Sequence, residues 1–334
     1  MKFGIALSTQ HLPGDSQVER FHEHVEQVRV AREVGFSLVG SGQHYMAAPF
    51  SYFQTIPTLA RIAAVSGDMM VATGALVLPL HQPVDLAEQL ATLDVITGGR
   101  FIFGAALGYR DVENRAFQHD PRSRVGRMKE SLEIIKELWT GEPVSHDGEH
   151  FQLDKVQISM PPIQRPRPAI WLAANADIGV KRAARWGDAW IMNPHATLDT
   201  LVRQMALFHE TRAAAGLPRA DAIPLGRECY IAPTMARAVA EGRPLIEGKY
   251  DAYRRWGQDE AMPEDDSWNL EIEELAKDRF VIGDPARVRD EVARYREKLG
   301  LTHMVFRLQW PGMDHDSVLR SIRLLGEQVL PHFA

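Results

Sequence analysis

Cysteine is nearly absent from the chain of 334 residues, in which Cys229 is the single example. An internal disulfide and a cysteine-rich metal cluster are therefore excluded, and the composition fits a reducing compartment. Nowhere do about 18 apolar residues run without interruption, as a membrane-spanning helix requires. The apolar run in the N-terminal MKFGIALSTQ is also too short for a signal peptide. We expect a soluble, cytoplasmic protein.

Positive charge is in slight deficit, with 38 Lys and Arg against 44 Asp and Glu and a formal net charge of -6. The basic residues are scattered along the chain and form no stripe. The sequence therefore gives no sign of a nucleic-acid partner or of binding to an anionic membrane surface. A small-molecule partner is favoured.

Several catalytic motifs are also missing. The chain has no G-x-S-x-G elbow, no Walker loop and no cysteine beside a histidine, so acyl transfer and nucleotide hydrolysis lack support. Predicted strand ends carry only single histidines, too few for a metal-dependent barrel hydrolase. His22 and His24 diverge on a predicted helix, so we expect both on the surface. A site without metal or nucleophile suggests that an organic cofactor carries the chemistry.

Strand-like runs alternate with helix-like segments along the whole chain. Helix signals include the capping-box pattern Ser16-x-x-Glu19, Pro83 at a helix start and Asp284-Pro285 at another. Residues 142–160 are typical of a β-hairpin with its turn at Asp147-Gly148. The predicted strands are Lys2–Ser8, Phe36–Val39, Met69–Leu78, Arg100–Ala106, Ala169–Ala174, Ala189–Met192, Leu225–Ala232 and His303–Trp310.

Eight alternating units predict an α/β fold with an all-parallel sheet, which closes most economically as a TIM (β/α)8 barrel with insertions. An open, doubly wound sheet is the alternative. It would usually carry G-x-G-x-x-G after a strand, and the nearest match here, Gly104-x-x-x-Gly108, has the wrong spacing.

In a barrel, the residues that follow each strand face the ligand. Here they are polar and aromatic but poor in carboxylates. Histidine and aromatic side chains among them predict a substrate pocket, although each is also compatible with simple packing at the rim. These candidate substrate residues are His11, Tyr45, Tyr109, His195 and Trp310.

Three segments carry a family resemblance: EVGFSLVGSGQHY, VATGALVLPLHQPVDLAEQLATLDVITGGRFIFGAALGYRDVENRAFQHD and SRVGRMKESLEIIKELW. They resemble the bacterial luciferase-like flavin-dependent monooxygenases, most closely over residues 1–145. The resemblance implies a single luciferase-like TIM-barrel domain over residues 1–334, in a homo-oligomer that is a dimer. It also implies reduced FMN or a deazaflavin as cofactor and a small organic substrate.

The resemblance also assigns residues around the flavin. His44 matches the histidine that luciferases use for proton transfer, unless it only hydrogen-bonds the barrel rim, and Gln43 replaces the glutamate that precedes it in luciferases. Gly74 and Ala75 match a pair that forms a non-prolyl cis peptide beneath the isoalloxazine, although an ordinary strand glycine is the alternative. Gly104, on the next strand, is expected in the same platform.

The cofactor phosphate is expected at the start of a helix within AANADIG, where Asn175, Ala176 and Asp177 offer backbone N–H groups. Luciferases place hydroxyl residues where this chain has Ala176 and Gly179, and Asp177 adds a negative charge. Arg110 or Arg124 would compensate for that charge, unless they are surface arginines. These departures leave the identity of the cofactor open.

The function predicted by the resemblance is a two-component monooxygenase that uses reduced FMN and dioxygen to oxygenate a small organic substrate, with no metal. No nicotinamide domain is visible, so a separate flavin reductase is expected. A deazaflavin-dependent dehydrogenase and a non-catalytic flavin-binding protein are the alternatives. The acidic segment 257–270 is either a lid over the cofactor or a solvated loop.

Overall fold

A computed structural model describes residues 1–8, 10–244 and 276–333 of the chain. Parallel strands follow one another around a closed barrel, in which β8 pairs with β1 and β4 pairs with β5. The TIM barrel is therefore confirmed and the open sheet is excluded. The barrel strands are β1 Lys2–Leu7, β2 Leu38–Ser41, β3 Met70–Thr73, β4 Phe101–Ala106, β5 Ala169–Ala174, β6 Ala189–Met192, β7 Pro224–Ile231 and β8 His303–Arg307.

One main helix follows each strand and packs apolar side chains against the barrel. The Ser16 hydroxyl caps the first helix by accepting from the Glu19 N–H, and Asp284 caps the seventh by accepting from the Arg287 N–H. The helices are α1 Gln17–Glu33, α2 Thr55–Ala63, α3 Pro83–Ile96, α4 Arg124–Leu138, α5 Asp177–Trp186, α6 Leu198–Ala214, α7 Pro285–Leu299 and α8 His315–Gln328. None of the helices in the described ranges is long and apolar enough to cross a membrane.

Several short elements decorate the barrel. The predicted hairpin is confirmed as Val144–Asp147 paired with Gln152–Val156. One strand was not predicted: Phe280–Gly283 pairs with the second half of β7, while β8 pairs with the first half. Residues 235–244 are helical after β7. The acidic segment 257–270, predicted as a lid or a solvated loop, lies outside the described residues.

The expected surface position is right for His22 but wrong for His24. His24 is fully buried, with its ring centroid 5.2 Å from that of His11 and 5.8 Å from that of Phe53. It precedes Val28 by four residues, and so it shares the buried face of α1. His22, two positions away, points to solvent.

Small residues occupy one level of the barrel interior. Ala6 on β1, Gly40 on β2 and Ala72 on β3 are aligned by the register of the strands. Gly226 lies on β7, across the barrel from β3. TIM-barrel interiors are usually filled by branched side chains, so this level is unusually open.

Candidate active site

A cavity of about 430 Å³ opens at the carboxyl ends of the barrel strands. Its walls combine a group of residues without long side chains with a group of polar and aromatic ones. The small residues include Gly42, Gly74, Ala75, Ala106, Ala173 and Ala174. The polar and aromatic residues include His44, Tyr52, Tyr109, Asn175, Arg182, His195 and Arg307.

The loops that follow β2 and β3 are joined by backbone hydrogen bonds. The Gly74 N–H donates to the Ser41 carbonyl at 2.7 Å, and the Gln43 N–H donates to the Ala75 carbonyl at 3.1 Å. The Gly74–Ala75 peptide is cis, which confirms that part of the sequence prediction. A Cβ on Gly42 would lie 3.1 Å from the Gly74 oxygen, so glycine permits this close approach.

His44 lies beside a carboxylate that the sequence analysis did not identify. Its Nδ1 is 3.2 Å from Oε1 of Glu113, which belongs to the short helix Asp111–Ala116 after β4. The same oxygen accepts from the Tyr45 N–H at 2.9 Å and from Nη1 of Arg110 at 3.1 Å. Burial alone would raise the pKa of Glu113, but these hydrogen bonds and the Arg110 charge hold it below its usual value. Glu113 is therefore an ionised carboxylate behind His44.

The carboxylate determines which ring nitrogen of His44 is available to a ligand. Because Nδ1 faces Glu113, we assign the proton to Nδ1, so Nε2 is the nitrogen able to exchange a proton with a ligand. The rings of Tyr52 and Tyr109 meet the imidazole edge-on, each with its centroid 5.8 Å away. His44 is thus fixed in orientation at the cavity wall.

Arg110 and Arg124 do not line the cavity. Arg110 is buried and donates to the carbonyls of Tyr45 and Met46, at 2.6 and 3.2 Å, as well as to Glu113. It therefore braces the loop that carries His44. Arg124 pairs with Asp111 at 3.4 Å.

The start of α5 forms another part of the wall through Ala176, Ile178 and Gly179. One turn further along, Arg182 also lines the cavity, and it makes no hydrogen bond or ion pair with any described residue. Arg182 was not predicted from the sequence, although its position three residues after Gly179 places the two on one helix face. A helix N-terminus and a cation that has no partner among the described residues together favour an anionic ligand here.

Asp177 does not bring its negative charge to this wall. Its carboxylate accepts from Arg203 at 2.6 Å and from Gln204 at 2.9 Å, and the bond from Arg203 lowers the pKa of Asp177. Gln204 also donates to the Asn175 carbonyl at 2.7 Å, which ties α6 to the start of α5. The charge that the sequence placed near the phosphate is therefore paired on the α6 side.

Two buried arginines hold the loop after β6, which presents His195 to the cavity. Arg227 donates to the carbonyls of Pro194 and Ala196, at 2.8 and 2.9 Å, and Arg279 donates to the His195 carbonyl at 2.7 Å. The Asn193 side chain accepts from the His195 N–H. This loop has its own rigid support, independent of a ligand.

The structure brings seven of the predicted site residues to the cavity wall: His44, Gly74, Ala75, Tyr109, Asn175, Ala176 and His195. Gly104 lies behind this wall, where a Cβ would meet the Thr73 carbonyl oxygen at 1.8 Å. The glycine there is needed for the close approach of β3 and β4.

The remaining predicted substrate residues lie outside the cavity wall. The Tyr45 hydroxyl accepts from Gln43 at 3.1 Å. His11 is buried against Phe53 and His24, and burial lowers its pKa to about 4. Trp310 is buried and donates from Nε1 to Glu228 at 2.6 Å. None of these three residues lines the cavity, and only Tyr45 is hydrogen-bonded to a residue that does, Gln43.

Among the described residues, no group of three or more His, Cys, Asp or Glu side chains could hold a metal ion.

The chain is similar to a known protein family and to several characterised proteins. A family model described as luciferase-like monooxygenase matches residues 1–303. The oxygenase component of flavin-dependent trigonelline monooxygenase from Acinetobacter baylyi is 29% identical over 182 residues, which are 52% of this chain and 49% of that protein. The F420-dependent glucose-6-phosphate dehydrogenase of Nakamurella multipartita is 27% identical, covering 90% of this chain and 89% of that one.

Among solved structures, the monooxygenase RslO1 of Streptomyces bottropensis is similar over the full length of both chains. The TM-score is 0.89 and the identity is 26%.

Proposed function

Because the chain belongs to the luciferase-like monooxygenase family, we propose that it is the oxygenase of a two-component system that uses reduced FMN and dioxygen to oxygenate a small organic substrate. One observation carries the proposal. His44 follows β2 and Arg182 lies on the helix after β5, three strands further around the barrel, so a proton-exchanging group and an anion-binding group face one cavity from different sides.

The cavity residues fit FMN. Arg182 and the first turn of α5 suit a phosphate, and Asn175 and Ala176 lie at the same place. A planar ring system needs a wall without projecting side chains, and Gly74, Ala75 and their small neighbours provide one. Reduced FMN, when bound, would supply the electrons with which dioxygen is activated.

His44 has the central chemical role in this proposal. It would exchange a proton through Nε2 with the reacting groups, while Glu113 holds Nδ1 and stabilises the charged imidazolium. Tyr52 and Tyr109 fix the ring and limit the access of water to it. Arg110 acts indirectly, because it holds in place Glu113 and the loop that carries His44.

A separate flavin reductase would supply the reduced cofactor. The trigonelline relative is itself an oxygenase component, and the sequence carries no dinucleotide-binding motif. We further propose one domain over residues 1–334, a homodimer and a cytoplasmic location.

A deazaflavin-dependent dehydrogenase is the second candidate. The F420-dependent relative matches nine-tenths of this chain. The pair His44 and Glu113 is also suited to removing the proton of an alcohol.

The deciding experiment offers the purified protein reduced FMN and reduced F420 separately, without oxygen, and measures both dissociation constants by fluorescence. Oxygen is then admitted and the rate of flavin oxidation is followed by absorbance. The proposal requires tight binding of reduced FMN and an oxidation rate that differs from that of free reduced FMN. Binding of F420 alone would establish the dehydrogenase, and binding of FMN with an unchanged oxidation rate would establish a non-catalytic flavin-binding protein.

A further inference from the structure

A second cavity of about 180 Å³ lies within the barrel and joins the first. Its deeper wall is apolar and includes Leu38, Trp171, Ile191 and Val305. An engineered apolar cavity of about 150 Å³ is large enough to hold benzene. The inner cavity is therefore large enough for one six-membered ring.

The inner cavity exists because of the small residues at this level of the barrel. Ala6, Gly40, Ala72 and Gly226 all line it. A Cβ on Gly40 would be no closer than 3.5 Å to any neighbour, and one on Gly226 no closer than 3.7 Å. Both glycines lie in strands without close contacts, so the fold does not require glycine at either position.

A polar collar separates the inner cavity from the outer one. Asn175, His195 and Arg307 line both cavities. Nε of Arg307 lies 3.6 Å from Oε1 of the buried Glu228, whose other oxygen accepts from Trp310. The collar thus offers hydrogen-bond donors at the mouth of an apolar chamber.

We propose that the inner cavity binds the compact apolar end of the substrate, up to the size of a benzene ring, while a carbonyl oxygen of the substrate lies at the collar. This inference rests on the proposed function, because it places that substrate next to Gly74 and Ala75, which line both cavities. An apolar chamber with few, well-placed polar groups is the usual form of a small-molecule site.

The first test uses benzene as the probe and the purified full-length chain, with and without FMN. Calorimetry or ligand-observed NMR should detect benzene binding to the wild type. Gly226→Val, which fills the chamber, should weaken that binding by about tenfold or more, and Gly40→Ala should weaken it less. Ala213→Val, on the exposed face of α6, adds apolar volume elsewhere and should leave the affinity unchanged.

The first test has two contrary results. A wild type that does not bind benzene overturns the proposal, even if xenon enters the chamber in crystals, because the cavity then admits gases only. Equal benzene affinity in Gly226→Val also overturns it, since the probe then binds elsewhere.

The second test examines the collar with a matched pair of probes, acetophenone and ethylbenzene. The ketone oxygen should make acetophenone bind about tenfold more tightly, as expected for one hydrogen bond from a polar or charged donor. Equal affinities for the two probes would show that the collar does not bind the carbonyl oxygen. Both tests measure binding without turnover, so they can fail while the oxygenase assignment stands, and the reverse also holds.

Discussion

Nδ1 of His44 lies 3.2 Å from Oε1 of Glu113, although the two residues are 69 positions apart in the chain. The contact joins the loop after β2 to the loop after β4 across the end of β3. It fixes the tautomer of a residue that lines the cavity and keeps a negative charge behind it.

Replacing His44 by alanine should lower turnover by about a hundredfold or more, the usual contribution of a positioned acid or base, and should leave FMN affinity nearly unchanged. Glu113→Gln should lower turnover less and shift the pH dependence of kcat. Because the two residues act as a unit, the double variant should be no slower than His44→Ala. Steady-state kinetics over a pH series measures this, and fully additive losses would show that Glu113 acts independently of His44.

Removing the charge of Arg182 should weaken FMN binding through the phosphate alone. Arg182→Gln should raise the dissociation constant of FMN by about tenfold or more and leave that of riboflavin, which has no phosphate, unchanged. Arg185→Gln is the matched control, since Arg185 is exposed on the last turn of the same helix. Fluorescence titration with both ligands decides the point, and an equal loss for riboflavin would place the phosphate elsewhere.

Acid should destabilise the fold through the buried pair His11 and His24. Burial lowers the pKa of His11 to about 4 and that of His24 to about 3. Below pH ~6.5 the two histidines bind protons in the unfolded chain but remain neutral in the folded chain. The free energy of unfolding therefore falls as the pH drops from ~6.5 towards 4. Each histidine contributes up to about 1.4 kcal/mol per pH unit.

With the variant His24→Gln, the free energy of unfolding should therefore fall less steeply as the pH drops, because about one proton fewer is taken up on unfolding. His22→Gln, on the exposed face of α1, is the control and should keep the wild-type slope. Urea unfolding at pH 4.5 to 7 gives both slopes, and parallel curves for His24→Gln and wild type would contradict the assignment.

Gly104 should be intolerant of any side chain. A Cβ there would lie 1.8 Å from the Thr73 carbonyl oxygen, and the Thr73 hydroxyl also bonds the Gly104 N–H and carbonyl. Gly104→Ala should lower the free energy of unfolding by about 3 kcal/mol or more, whereas Gly40→Ala should not lower it. Denaturant midpoints compare the two, and a stable Gly104→Ala would refute the close approach.

Local patterns were sufficient to predict the barrel from the sequence. Asp284-Pro285 and Ser16-x-x-Glu19 mark helix starts because capping is a local interaction. Phe280–Gly283 was missed because its pairing with the second half of β7 is a long-range contact, which no local pattern indicates.

The site was predicted less completely than the barrel, because its contacts join residues that are far apart in the sequence. His44 follows a strand and can be found by position, but its partner Glu113 is identified only by a long-range contact. Arg182 was missed because it lies one turn beyond the N–H groups at the start of α5. The contacts of Arg110 and Asp177 depend on side-chain direction, which composition does not give.

The open level formed by Ala6, Gly40, Ala72 and Gly226 also lowers the thermal stability of the barrel. An unfilled apolar volume of about 180 Å³ forgoes dispersion contacts worth on the order of 4 kcal/mol, by the relation between cavity size and stability. Residues that fill this level would raise the melting temperature of the barrel and reduce the room for a ligand. Selection for heat resistance alone would therefore be expected to close the chamber first.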